Sequence, residues 1–366
     1  MTISMRSQRG VALLTILLLV VSITVVAGAM LASQKIVIRR SGLLFNQNQL
    51  LQDIDAAQQL AVTIIRADST LNDTDSLQDI WAQPLPPYPL GTHTVAMELR
   101  DEASRFNINN LYHDGEVDVA AVAIFQRLLT QLNLEPDIAI AAVDWQDSDS
   151  EVYKDGGDES AVYAQQSTSL DATLPNQPFI SIEQLQEVRG MSTEALVILR
   201  PFITAVPYYL PININTASLE VLAALVDGVS AQQLQGLTTL RQQQAIESID
   251  SIWQQPPLNE VSAEQRQLLT PLLAVDSRAF TAFITATDSA NLGEARQRFA
   301  TILISKVDDE SGNNTNKDNS VNDTTTNNNA NSNTATNDNS TKDNNSEQNK
   351  IVRVVSQRLW AFQPNF

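Results

Sequence analysis

Arg9-Gly10-Val11-Ala12-Leu13-Leu14-Thr15-Ile16 opens an apolar run over residues 11–32 that only the hydroxyls of Thr15, Ser22 and Thr24 interrupt. At about 1.5 Å per residue the run makes a helix of roughly 33 Å, enough to cross a hydrocarbon core of about 30 Å. Arg6 and Arg9 precede it without an acid, and Lys35, Arg39 and Arg40 close it. Three fates are open to such a start. A secretory signal has a shorter apolar region, about 7–15 residues, ending in small residues, which Ala27-Gly28-Ala29 imitates. A plain membrane anchor keeps the whole run. The third is a cut just before the run, after Gly10.

Beyond the run the helical pattern persists over residues 33–65 with polar residues interleaved: Leu51, Ile54, Ala57, Ala61 and Ile65 step by threes and fours and predict an apolar stripe. A Pro-rich stretch, residues 83–89, ends the helix. Val95, Met97 and Leu99 then alternate as in a half-buried strand, the first surface on which that stripe can pack. From about 111 to 274 the pattern is helical again, with predicted helices over 119–132, 136–144, 182–188, 193–199, 218–225 and 263–273. Strand pattern returns at 300–306 and 351–359, a predicted hairpin. Between these two runs, residues 311–350 are nearly all Asn, Thr, Ser, Asp and Lys, a composition that cannot bury enough apolar surface to offset chain entropy. The expected organisation is therefore a short basic start (1–10), a membrane-spanning segment (11–32), a helix beyond the membrane with first strands (33–110), an inserted helical domain (111–275) and closing strands (276–366) around a disordered loop (311–350).

Composition excludes much chemistry. Of 366 residues, 42 are Asp or Glu and 23 Lys or Arg, a formal charge of -19, and there is no Cys and only two His. Disulfides, thiolate metal sites and cysteine nucleophiles are ruled out, and a general phosphate-binding surface would need clustered cations. His93 and His113 are assigned to a strand edge and a turn. The acidic residues are concentrated: Asp144, Asp147, Asp149, Glu151, Asp158 and Glu159 fall within sixteen residues, offset by Lys154 alone. Calcium takes six to eight oxygens, and carboxylates at alternate loop positions supply them. Asp147, Asp149 and Glu151 imitate the first half of an EF-hand loop with Asp158 at its twelfth position, but Val152 stands where that loop requires Gly.

The Arg9-Gly10-Val11 start resembles the processing site of type IV prepilins and type II secretion pseudopilins. The resemblance implies cleavage after Gly10 by prepilin peptidase and methylation of the new amino end at Val11. Most such subunits carry Glu as the fifth mature residue; Thr15 stands there, as in the minor pseudopilin K family. Four internal motifs extend that resemblance: Asp101-Glu-Ala-Ser-Arg-Phe-Asn-Ile-Asn-Asn-Leu111, Val143-Asp-Trp-Gln-Asp-Ser-Asp149, Pro178-Phe179 with Val188-Arg-Gly-Met191, and Asn213-Ile-Asn-Thr-Ala217. The implied fold is α+β: a pilin-like fold, with a long amino-terminal helix packed on an antiparallel sheet and a large all-α domain inserted between the strands. The implied role is a subunit of the periplasmic pseudopilus tip, partnered by minor pseudopilins I and J and by the inner-membrane secretion platform. The family's calcium lies in the acidic loop, whose Gly157 and Glu159 match, while Ser160 stands in place of a further acid. Without the resemblance, a single-span membrane protein with a calcium-stabilised periplasmic module and no filament role fits the same residues. Turns at Gly190 and Gly228 are similar to helix-hairpin-helix modules, but the flanking helices are not basic. Acid pairs such as Asp101 and Glu102 lack any accompanying oxyanion or phosphate-loop motif, so no enzyme is expected.

Overall fold

The computed structural model describes residues 7–148, 151–155, 175–288, 296–308 and 350–364. A single helix of 65 residues, α1 (Ser7–Leu71), carries the chain from the apolar run into the folded body. From Val11 to Phe45 its large apolar side chains stand open, Val11 63% and Phe45 68% exposed. From Leu50 onward one face is buried: Leu50, Ile54, Ala57, Ala61 and Ile65 are each at most 2% exposed. The register differs from the expected stripe at one place. Leu51 is half-buried and Leu50 is in the core, because a four-residue step to Ile54 keeps the stripe on the side facing the sheet.

That sheet has, among the described residues, five strands in the order β1 (Tyr88–Leu90), β2 (His93–Asp101), β3 (Ala279–Asp288), β4 (Arg296–Asp308) and β5 (Lys350–Trp360), each antiparallel to its neighbour. β1 and β2 are joined by a two-residue turn in which Gly91 takes φ 63°, a conformation open to glycine without steric cost. Met97 faces Ile284, and Ile284 faces Ala300. These side chains, with Val95, Phe280, Ala282, Ile302 and Ile304, form one buried cluster with the stripe of α1, and Trp81 meets Phe280 edge-on at 5.1 Å. The hairpin of residues 300–306 and 351–359 forms, with Ala300 opposite Leu359 and Val307 opposite Ile351.

β3, at the centre of the sheet, had no counterpart in the sequence reading, which resumed strand pattern only at residue 300. Its alternation is present, Phe280, Ala282, Ile284 and Ala286 inward against Thr281, Phe283, Thr285 and Thr287. Alanine and threonine give that alternation little hydrophobic contrast.

Between β2 and β3 the chain builds a second core. α2 (Val119–Gln131), α3 (Ile138–Gln146), α4 (Thr193–Leu199), α5 (Leu219–Ala223), α6 (Gln235–Gln243) and α7 (Ala263–Leu269) surround Phe106 stacked on Phe125 at 5.3 Å and Trp145 stacked on Phe179 at 5.9 Å. Four of these helices are started by a side-chain cap: Asp118 accepts from the amides of Ala120 and Ala121, and Ser192, Ser218 and Ser262 each accept from an amide three residues on. Residues 182–188, expected as an α-helix, form instead a 3-10 turn, Ile182–Glu187. α6 was not anticipated; its only aliphatic residues are Leu237 and Leu240.

Candidate functional site

Three places hold the residues singled out by the sequence: the head of α1, the acidic loop after α3, and the seam between sheet and helical domain.

At the head, Gly10 and Val11 lie in the first turns of α1, so the backbone runs helically through the implied cleavage point. The hydroxyls inside the apolar run are satisfied within the helix. Thr15 Oγ1 donates to the carbonyl of Ala12 (2.9 Å), Ser22 Oγ to Leu18 (2.7 Å) and Thr24 Oγ1 to Val21 (2.8 Å). Hydroxyls bonded back to their own helix carry little cost in an apolar medium. The segment from residue 11 has a mean hydropathy of 2.8 in its most apolar window and no part of that window is buried.

In the acidic loop two of the six acids are buried. Asp144, on the last turn of α3, is fully buried, and Asp147, which follows the helix, is 4% exposed. The chain folds back on them: the Tyr153 N–H donates to Asp144 Oδ1 at 2.8 Å. Lys154 lies over the Tyr153 ring, 4.8 Å from its centroid, and Glu151 is exposed. Asp149, Asp158 and Glu159 lie outside the described residues, as does most of the 311–350 loop. Among the described residues no three His, Asp or Glu side chains gather closely enough to hold a metal.

The seam is where two of the sequence motifs meet. Asp101, the last residue of β2, is buried; its Oδ2 accepts from Ser277 Oγ (2.6 Å) and from Thr216 Oγ1, and its Oδ1 from the Ala103 N–H (2.8 Å). Burial pushes its carboxyl up to about 7, against the pull of the Ser277 and Thr216 hydroxyls. Asn213 Nδ2 donates to Ser277 Oγ (2.7 Å) and to the Asp75 carbonyl (2.9 Å). Lys306, from the far end of β4, pairs with Asp75, both 2% exposed. Burial raises Asp75 too, opposed by Lys306. Loop after α1, ends of β2 and β4, entry to β3 and the Asn213–Ala217 segment are thereby tied at one point.

The other asparagines of these motifs substitute for strand backbone. Asn107 Oδ1 accepts from the Val206 N–H (3.0 Å) while its Nδ2 donates to the Tyr208 carbonyl (2.8 Å). Asn109 bridges both ways to Phe179 (2.8 Å each) and Asn110 to Leu210 (2.7 and 2.9 Å). Asn215 does the same for Ile246 (3.0 and 2.7 Å). Each side-chain amide satisfies both an N–H and a C=O of the segment it faces.

His93 was misplaced by the sequence reading. It starts β2, an interior strand, and is 5% exposed, its Nδ1 2.6 Å from Asp53 Oδ2 of α1 and its Nε2 3.8 Å from Asp288 Oδ1 of β3. An acid inside the apolar stripe of α1 and one at the end of β3 were the available signals. His113 does sit beside a turn, Asp114-Gly115, with φ 54° and 84°.

A long helix, apolar and open over its first half and packed on an antiparallel meander over its second, defines a pilin-like subunit carrying a helical domain within its sheet. The family described as type II secretion system protein K matches the chain in two parts, residues 104–208 and 212–276. Type II secretion system protein K of Pseudomonas aeruginosa is 28% identical over 256 residues, spanning 67% of this chain and 76% of that protein. The Aeromonas hydrophila protein of the same name is 27% identical over 330 residues, 84% of this chain and 96% of its own length. In the crystal structure of the GspK-GspI-GspJ complex from enterotoxigenic Escherichia coli, one chain superposes with a TM-score of 0.62 at 25% identity, covering 73% of this chain and 94% of that one. By these matches the chain is similar to type II secretion system protein K, a minor pseudopilin family.

Proposed function

We propose that this protein is cut after Gly10 by prepilin peptidase, methylated at Val11, held in the inner membrane by α1, and incorporated with minor pseudopilins I and J at the tip of the periplasmic pseudopilus that supports export of folded proteins. Its role is structural and not catalytic. The observation that carries this reading is the division of α1. Val11 to Phe45 is about 52 Å of helix at 1.5 Å per residue, against about 30 Å of hydrocarbon. Ile36, Val37, Ile38, Leu44 and Phe45, each more than half exposed, stand beyond the bilayer and offer neighbouring helices an apolar surface. Thr15 supports a terminal place: threonine has no carboxylate to offer the amino terminus of a further subunit, and its hydroxyl donates to the Ala12 carbonyl. The related structure, titled as a complex of GspK with GspI and GspJ, supports the partners.

The acidic loop fits calcium by the chemistry of its donors, all hard oxygens, two of them on carboxylates already buried at Asp144 and Asp147. Glu151, Asp149, Asp158 and Glu159 would complete the set, and the ion would neutralise a loop that repels itself.

Intact-mass and amino-terminal analysis of the membrane form tests the processing: a mature chain starting with methylated Val11 is expected. A start near Ala29, or a retained Met1, overturns it and leaves a single-span protein outside any filament. Co-purification with the I and J subunits, lost on truncation through residue 45, tests the assembly.

A further inference from the structure

On the face of the sheet turned away from α1, a cleft of about 310 Å³ opens between the strands and the helical domain. Its floor follows from the register. Phe283 of β3 faces Thr301 of β4, which faces Arg358 of β5; in the next row Thr281 lies beside Arg100 of β2. Its far wall comes from the segments 180–183 and 203–206.

Three arginines line this cleft in a chain whose net charge is -19. Arg100 lies over the Phe283 ring at 4.5 Å and Arg358 over the Trp360 ring at 5.4 Å. The aromatic faces hold both guanidinium groups extended; Arg100 also pairs with the exposed Glu98 at 3.6 Å. Arg105 is largely buried, and its guanidinium makes no hydrogen bond or ion pair among the described residues; Glu102 is the acid nearest in its field. Glu102 is itself engaged by the Thr204 hydroxyl at 2.6 Å. Glu183, the other acid of the lining, is paired with Arg200 at 2.8 Å. The cleft is therefore cationic on balance, three arginines against Glu102 and Glu183.

Its open side is a strand. β5 ends the sheet, so one row of its N–H and C=O groups meets no further strand among the described residues. Val355 and Leu359 on β5 are 40% and 53% exposed. An extended chain can add to such an edge and present alternate side chains to one face.

We propose that this cleft binds an acidic, extended segment of another polypeptide, seating a carboxylate at Arg105 and Arg358 while its backbone pairs with β5, with Arg100, farther across the sheet, adding to the positive field. Carboxylate geometry matches the guanidinium fork, and acids at every second position of an extended segment fall on the same face.

The test uses the full chain in detergent micelles and a fluorescein-labelled heptapeptide, Thr-Glu-Val-Glu-Thr-Glu-Val, followed by anisotropy. Saturable binding is expected, weakened about tenfold or more by replacing Glu with Gln in the peptide and by Arg358→Gln, an exposed position whose loss leaves the fold intact. Arg105→Gln is expected to weaken it at least as much, with partial rescue by Arg105→Lys. The proposal is overturned by equal binding of the Gln peptide, by indifference to Arg358→Gln, or by no saturable binding. Competition by free glutarate at concentrations equal to the peptide would reduce the cleft to a small-anion site and also overturn it. So would loss of peptide binding through self-association of the chain, seen by sedimentation.

Discussion

Asp101 holds the seam together and makes it sensitive to pH. Its folded pKa is raised from 3.8 to about 7 by burial, so the folded state takes up a proton more readily than the unfolded chain throughout that interval. The stabilisation from this group is complete below about pH 4 and is lost as the pH rises through 7, with a slope of at most about 1.4 kcal/mol per pH unit. Asp68, raised to about 6 by burial and then by Asp79 and Asp75, acts in the same direction. The expected outcome is a melting temperature that rises on acidification from pH 8 to pH 6, with the rise reduced in Asp101→Asn, which keeps the shape and removes the titration. A slope equal in both proteins would show that the seam does not titrate there. Asp144 and Asp147 are two further buried acids. If calcium sits on them, a hundredfold excess over Kd adds about 2.7 kcal/mol to the folded state, and calcium, more than magnesium, raises the melting temperature. Asp144→Asn with Asp147→Asn should remove most of that increment. Identical melting curves in calcium and chelator, or an undiminished response in the double variant, would return the loop to a simple acidic surface.

Contact between α1 and the sheet runs through small residues. Ala57 and Ala61 of the helix belong to the same buried cluster as Ala282 and Ala286 of β3 and Ala300 of β4, all at most 2% exposed. Alanine on both sides lets the helix approach the strands closely, and a close-packed contact has no room for added methylenes. Ala61→Leu is therefore expected to cost about 1–3 kcal/mol by overpacking, while Ala56→Leu, one residue before the stripe and exposed, should change stability by less than about 0.5 kcal/mol. Chemical denaturation of both variants decides the point. The same small residues explain what the sequence left illegible. β2 and the closing hairpin were readable because Val, Met, Leu and Ile alternate with polar residues at period two. β3 was hidden because Ala and Thr carry the same alternation at low contrast. The asparagines were visible as a family pattern but not as a device, since the partners of Asn107, Val206 and Tyr208, lie about a hundred residues along the chain and no local rule connects them.

At the scale of the molecule the chain closes one sheet across two long excursions. The first, between β2 and β3, has its own core and returns to within hydrogen-bonding distance of its start, Ser277 to Asp101. The second, between β4 and β5, starts and ends in register, Asp308 opposite Lys350. A connection whose ends are already adjacent needs very few residues. For a flexible connection the closure cost grows as about 1.5 RT ln n, so shortening some forty residues to four recovers about 2 kcal/mol of entropy or less. Replacing residues 311–348 by a short Gly-containing turn should consequently leave the melting temperature unchanged or raise it by a few degrees, and should preserve the near-ultraviolet circular dichroism of Trp81, beneath the sheet, and of Trp360, at the end of β5. The composition of that segment, without Phe, Leu, Ile or Trp, offers nothing to pack against β4 or β5. A fall of more than a few degrees, or a changed aromatic signal, would show that the segment contributes contacts to the fold. Retained secretion with unchanged stability would place it outside both folding and assembly.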